Sequence, residues 1–259
     1  MKYKIVLLML GMILLNACST DDALTTDDNG VNQSANRQST GKSAKDLLSA
    51  DKYTSMILEI VYVEGFEPSQ SSINNLKSFI EKRTFKPQGI VIEKRAIPSP
   101  NKTKYSINDI SEIEKKHRKY YNTDNRIAVW AYFSDGKSDK DSAADETVVL
   151  GTAYWNTSFV IFQETLNNYS NSPLEPNRSL LETTVMTHEF GHIFGLTNLG
   201  SPMQTNHEDG AHAKHCNNKD CLMFWKSESG AGILDMANMS AAPSLDANCM
   251  ADLRANGGK

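Results

Sequence analysis

Cysteine is scarce in this chain, with four in 259 residues. A fold held together mainly by disulfides is therefore excluded, because such scaffolds are short and cysteine-dense. Basic charge is not in excess either. Lys and Arg number 27 against 31 Asp and Glu, and the formal net charge is −4. No positive field is available to hold a phosphate backbone, so nucleic acid is not an expected partner. Apolar runs long enough to enter a membrane are missing beyond the first eighteen residues, and no internal repeat is present. What remains is a chain with 39% hydrophobic residues, enough for a real core in one large domain or two small ones.

The N-terminus reads as an address. Lys2 and Lys4 form a positive start, and Ile5 to Leu15 is an apolar stretch of 11 residues interrupted only by Gly11. That is short for a transmembrane helix and right for a signal peptide. The ending Leu15-Asn16-Ala17-Cys18 resembles a bacterial lipobox, which implies cleavage after residue 17 and lipidation of Cys18. The acidic pair Asp21-Asp22 resembles the export signal of surface lipoproteins in Bacteroidetes. The expected location is the outer membrane or cell surface, with the lipid as the membrane contact. Residues 18–50 are polar with scattered apolar positions, which suggests a flexible tether. The domain is expected over 51–259.

From Ser55 the pattern changes to alternating strands and helices. Met56 to Val63, Gly89 to Ile97 and Ile127 to Phe133 read as strands, with one or two more between Val148 and Phe162. Pro68-Ser69 opens a helix with Ile73, Leu76, Phe79 and Ile80 on one face, and Ile107 to Tyr121 is a second, highly charged helix. Asp135 to Glu146 reads as a solvated acidic loop. Asn177 can cap a helix whose apolar face is Leu180, Leu181, Val185 and Met186. The alternation predicts an α/β (α+β) domain with helices on the faces of a sheet.

That last helix runs into Thr187-His188-Glu189-Phe190-Gly191-His192. Residues four apart on a helix share a face, so His188 and His192 can offer two imidazole nitrogens to one Zn²⁺. Glu189 falls beside the metal, placed to take a proton from a zinc-bound water and pass it to a leaving amine. This is the H-E-x-x-H pattern. Gly195 follows His192 by three residues, as in metzincins, but Asn198 stands where their third histidine would be. His207, His212 and His215 lie downstream and leave the third ligand open. A second metal held by His207, Asp209 and His212, or a loop capped by them, is the alternative reading, while His117 reads as solvated.

The string His215-Cys216-x4-Cys221-Leu222-Met223 narrows this choice. With HExxHxxG it resembles the archaemetzincins, metzincin-clan zinc metalloproteases with the signature HExxHxxGxxHCx4CxM and a following CxxC. It also resembles membrane-anchored metalloproteases of Bacteroidetes. The resemblance implies His215 as third ligand, with His207 and His212 as alternatives, and Met223 as the Met-turn residue below the metal. It implies a metzincin-like catalytic domain: a twisted mixed sheet, two backing helices including the HExxH helix, then an irregular subdomain with Met-turn and C-terminal helix. One catalytic Zn²⁺ and a peptide or protein substrate are implied too.

Two departures stand out. Nineteen residues separate Gly195 from His215, where the family has two. The family is understood to hold a structural zinc with four cysteines, whereas only Cys216, Cys221 and Cys249 remain here once Cys18 is lipidated. A Cys216–Cys221 disulfide with Cys249 free is the simplest expectation, although the pairing is open. Tyr154, Trp155 and Phe159 read as sheet residues near the cleft edge, Trp225 as pocket wall or core, and Asp246 and Asp252 as helix cap and surface groups. The activity expected is zinc-dependent endopeptidase. The alternatives are a lipid-anchored module that binds peptide or metal without catalysis, and a peptidoglycan amidase.

Overall fold

The structure, a computed structural model, describes residues 32–144 and 147–259. In chain order its elements are α1 (Ala44–Leu48), β1 (Ser55–Val63), α2 (Gln70–Glu81), β2 (Ile90–Ile97), β3 (Lys104–Tyr105), α3 (Ile107–His117), β4 (Arg126–Phe133), β5 (Lys137–Ser138), β6 (Gly151–Trp155), β7 (Ser158–Ile161), α4 (Gln163–Asn168), α5 (Arg178–Ile193), α6 (Ile233–Met236) and α7 (Ala247–Ala255). The main sheet has the order β2-β1-β4-β7-β6. Its first four strands run parallel, and β6 turns back antiparallel on β7 at the edge. The arrangement is a mixed α/β fold with an irregular C-terminal third, as expected from the sequence.

Strands β1 and β4 are near-continuous apolar runs because both of their faces are covered. On one face Met56, Leu58, Ile60, Val129 and Phe133 pack against Leu76 and Ile80 of α2 and Leu181, Val185 and Phe190 of α5. On the other, Val61, Val63, Trp130 and Tyr132 pack with Ile110 of α3. The two expected backing helices are thus α2 and α5, and α3 covers the opposite side. Each long helix has a side-chain cap. Ser69 accepts from Ser72 N, Ser106 forms a capping box with Asp109, and Asn177 accepts from Ser179 N and Leu180 N.

Buried carboxylates tie these layers together. Glu59 on β1 is 1% exposed and accepts from Arg95 (2.8 Å) and from the backbone N–H of Lys119 and Tyr120. Glu114 on α3 pairs with Arg118 at 2.6 Å and accepts from Ser158 Oγ and the Tyr154 hydroxyl, which fixes the edge hairpin. Glu182 on α5 accepts from Ser69 N, Ser72 Oγ and Gln163 Nε2 at 2.7–2.9 Å, bolting α5 to α2 and α4. Such charges are tolerated inside because every one is hydrogen-bonded.

The tether expected over 18–50 needs correction. From Asn32 onward the chain is packed on the domain. Leu47 and Leu48 are fully buried. Asn36 is buried as well, donating to Ala128 O and Thr157 Oγ1 at 3.0 Å and accepting from Asn122 N at 3.0 Å. The segment is polar because its buried residues make hydrogen bonds, not because it is solvated. The expected signal peptide (1–17), Cys18, and the tether up to residue 31 lie outside the described residues, as do Asp145 and Glu146 of the acidic loop. Among the described residues no helix is long and apolar enough to cross a membrane.

A packed segment predicts a measurable cost of truncation. Leu48→Ala should lower unfolding stability by ~2–5 kcal/mol in urea titrations, the range for a buried Leu cut to Ala. A solvated tether would show a change within about 0.5 kcal/mol.

Candidate metal centre

Helix α5 carries the first two groups. Its residues from Leu181 to Ile193 are all buried, so both histidines project into the interior of a cleft and not into open water. His188 Nδ1 lies 2.7 Å from Leu222 O. That bond assigns the ring proton to Nδ1 and leaves the Nε2 lone pair free.

The chain leaves α5 through Phe194 and Gly195, the latter at φ +73. A Cβ on Gly195 would meet Ser201 N at 2.7 Å and the Ala44 Cβ at 2.8 Å, so both backbone shape and space demand glycine. The insertion 196–214 then closes on itself. Thr197 Oγ1 donates to Lys214 O, and Glu208 accepts from Lys214 N (2.6 Å) and Asn198 Nδ2 (3.0 Å). Because the excursion begins and ends at one neck, His215 arrives beside α5 despite the added length. Asn198, at the usual ligand position, is occupied with Glu208.

Three imidazoles and one carboxylate converge. Ring centroids lie 4.7 Å apart for His188–His192, 5.3 Å for His188–His215 and 5.0 Å for His192–His215. Glu228, from the 3-10 turn Trp225–Glu228, reaches the same point. Its oxygens lie 3.6, 3.7 and 3.1 Å from Nε2 of His188, His192 and His215. His188 Nε2 and His215 Nε2 nonetheless form no hydrogen bond among the described residues. The atoms face a common centre instead of each other. Four ligands bound tetrahedrally at ~2.0–2.1 Å stand about 3.3 Å apart, so the spacing and the orphaned nitrogens fit a zinc-sized cation. Burial presses the His192 pKa down to about 4, which keeps that ring neutral, as a metal ligand must be. Burial opposes charge on Glu228, but the three imidazoles outweigh it and hold the carboxyl well below its ordinary range.

Glu189 is fully buried beside this centre, and neither carboxylate oxygen has a hydrogen-bond partner among the described residues. Burial, then the charge on Glu228, raise its pKa well above the usual carboxylate value. It presses on edge strand β6, where a Cβ at Gly151 would lie 2.7 Å from Glu189 Oε1. Met223 is buried beneath α5, with its Sδ 2.3 Å from where a Gly191 Cβ would sit. Gly191, between the two histidines, is therefore the space into which the methionine fits.

The other sequence candidates go elsewhere. His212 bonds to Asp209 (2.9 Å) and stacks on Trp225 at 4.2 Å. His207 lies against Asp252 (2.7 Å) and Cys216, so His207, Asp209 and His212 form no joint metal group. His117 is part-exposed at the end of α3. Tyr154 and Phe159 are sheet residues, and Trp155 tilts on Tyr154. Asp246 caps α7, but Asp252 is fully buried and not a surface group. The expected disulfide is also corrected. Cys216, Cys221 and Cys249 are all free and buried. Glu228 escaped the sequence reading because no spacing links it to the histidines.

The fold is archaemetzincin-like. The crystal structure of archaemetzincin from Methanopyrus kandleri aligns with a TM-score of 0.50 and 15% identity, covering 78% of this chain and 96% of that one. No protein-family model and no curated protein matches the sequence.

The geometry predicts that elemental analysis of residues 19–259 finds zinc bound at this centre. His192→Ala or His215→Ala should remove one equivalent, and His212→Ala should remove none.

Proposed function

We propose that this protein is a zinc-dependent endopeptidase of metzincin type, with His188, His192 and His215 as the metal ligands and Glu189 as the proton carrier. One observation carries the reading. A glutamate with no hydrogen-bond partner among the described residues is buried beside three converging imidazoles, and a site that merely stored metal has no use for it. A bound zinc would act as a Lewis acid, polarising the scissile carbonyl and making water more acidic. Glu189 takes the proton of the attacking water and delivers it to the leaving amine nitrogen. Edge strand β6, whose first residue touches Glu189, offers backbone groups to an extended peptide by strand addition. The substrate is accordingly a peptide or protein, and Met223 serves as the soft floor under the ligands. In the cell, a lipid on Cys18 anchors the domain at the outer membrane or cell surface.

A second reading, a metal-holding module, has one observation in its favour: Glu228 stands at the fourth corner. Catalytic zinc sites keep that corner open, and structural sites fill it. Under the peptidase reading Glu228 swings aside when substrate enters. A muropeptide amidase has no comparable observation behind it.

Hydrolysis of casein and quenched fluorogenic peptides separates these readings. Glu189→Gln should lower kcat/KM by ~10²–10⁴-fold, the usual contribution of a positioned acid–base group, while the zinc content stays at the parent's value. Glu228→Ala should retain zinc and remain active. If neither the parent nor Glu228→Ala cleaves any peptide, the metal-holding reading replaces the peptidase.

A further inference from the structure

The turn that carries Glu228 is tied to the sheet edge as well as to the histidines. Glu228 O accepts from Leu150 N at 2.8 Å, Gly230 N donates to Val148 O at 2.9 Å, and Val149 stands opposite Ser229 in an antiparallel bridge. Val148 to Leu150 lead directly into edge strand β6. We propose that residues 228–230 form a self-inhibitory strap, which lies on the sheet edge as an added strand, sets the Glu228 carboxylate among the three imidazoles, and must leave both places before an extended peptide reaches the centre. On the peptidase reading, on which this rests, the strap is a stand-in for substrate. Its backbone gives way, and not the Glu228 side chain alone.

The backbone pattern is that of a bound strand. A sheet edge offers unpaired N–H and C=O groups to whatever lies along it. Val148 O and Leu150 N face the strap, whereas Val149 N turns to Asp141 Oδ1 at 2.9 Å. Ser229 is extended, at φ −119 and ψ 145. An extended peptide captured by strand addition pairs in the same way. Strand β6 bonds to β7 and is the last strand of its sheet. Its free edge begins at Gly151, the residue against Glu189. A peptide laid along β6 and past that point runs into the strap. Gly230 allows the close approach, since a Cβ there would fall 2.6 Å from the Val148 Cβ.

The side chain completes the likeness. Among the described residues the Glu228 carboxylate pairs with the three imidazoles, at 3.1–3.7 Å, and with no Lys or Arg. It takes the corner that a catalytic zinc keeps for water or substrate. Glu59, Glu114 and Glu182 are enclosed by fixed donors, but the Glu228 side chain is 26% exposed, so water can receive it when it leaves. The strap is also lightly fastened. Glu228, Ser229 and Gly230 are only half-buried. At the near end Trp225 stacks on His212 of the insertion at 4.2 Å, and Lys226 meets Asp235 at 2.8 Å on the surface, a kind of pair that contributes little. Segments with few buried apolar contacts are the ones that open locally.

The test reads binding and amide exchange instead of turnover. Acetohydroxamate, a small metal ligand, is titrated by calorimetry into the zinc-loaded protein and into its Glu228→Ala variant. With an open state populated at ~0.1–10%, the parent's apparent affinity is reduced by that fraction. Glu228→Ala should therefore bind acetohydroxamate ~10–1,000-fold more tightly, with its zinc content unchanged. Hydrogen exchange followed by NMR should find Gly230 N–H protected in the free parent and exchanging faster once a hydroxamate-tipped peptide is bound. Equal acetohydroxamate affinity in the parent and Glu228→Ala overturns the proposal, and so does unchanged protection of Gly230 N–H in the peptide complex. Loss of zinc from Glu228→Ala would make the carboxylate a permanent ligand and overturn it too. Failure of the peptidase reading looks different: neither protein cleaves any peptide, while Glu228→Ala still binds acetohydroxamate more tightly, and the strap then stands as the cover of a metal-holding site.

Discussion

Three imidazoles and a carboxylate are held within a few ångströms of one point, and the buried Nε2 atoms of His188 and His215 have no hydrogen-bond partner among the described residues. Burying polar atoms in this way costs free energy unless something binds them. The surrounding structure has the work of keeping them there. Helix α5 supplies two of the rings, the loop after the insertion supplies the third, and the turn after Met223 supplies the carboxylate. None of these segments would place its group correctly alone.

The contrast among buried carboxylates marks the site. Glu59, Glu114 and Glu182 are each surrounded by donors, and each joins two layers of the fold. Glu189 has the same burial and none of those partners among the described residues. The first three are structural fasteners, and the fourth is the group proposed above to carry a proton. Glu182 and Glu189 sit two turns apart on one helix, so the residue that fixes α5 in place also fixes the position of Glu189.

Much of this was legible in the residues. The cap at Asn177, the apolar spacing before His188 and the His-x3-His interval all follow from helix periodicity, and the strand runs at β1 and β4 follow from burial on both faces. The third histidine was not decided by such rules. His207, His212 and His215 are all compatible with a loop of unknown path, and only the Thr197–Lys214 neck selects His215. Glu228 was invisible because its approach depends on the packing of a turn. The segment from Asn32 to Ala50 was read as solvated because Asn36 and Ser43 are polar, yet both are buried through hydrogen bonds that depend on distant residues. Asp252 misled for the same reason, since its partner lies 45 positions earlier.

Gly41 and Gly200 cross almost backbone to backbone. A Cβ on Gly41 would fall 1.7 Å from Leu199 O, and one on Gly200 would fall 2.6 Å from Gly41 O. Ala44 meanwhile leans on Gly195, the residue that ends α5. The stretch ahead of the first strand is thus a clasp over the exit of the histidine helix. A protease that cut the chain past this crossing would do more than remove a terminal segment: it would loosen the turn through which the chain leaves His192, so that trimming one end of the chain and disturbing the histidine centre would become one event.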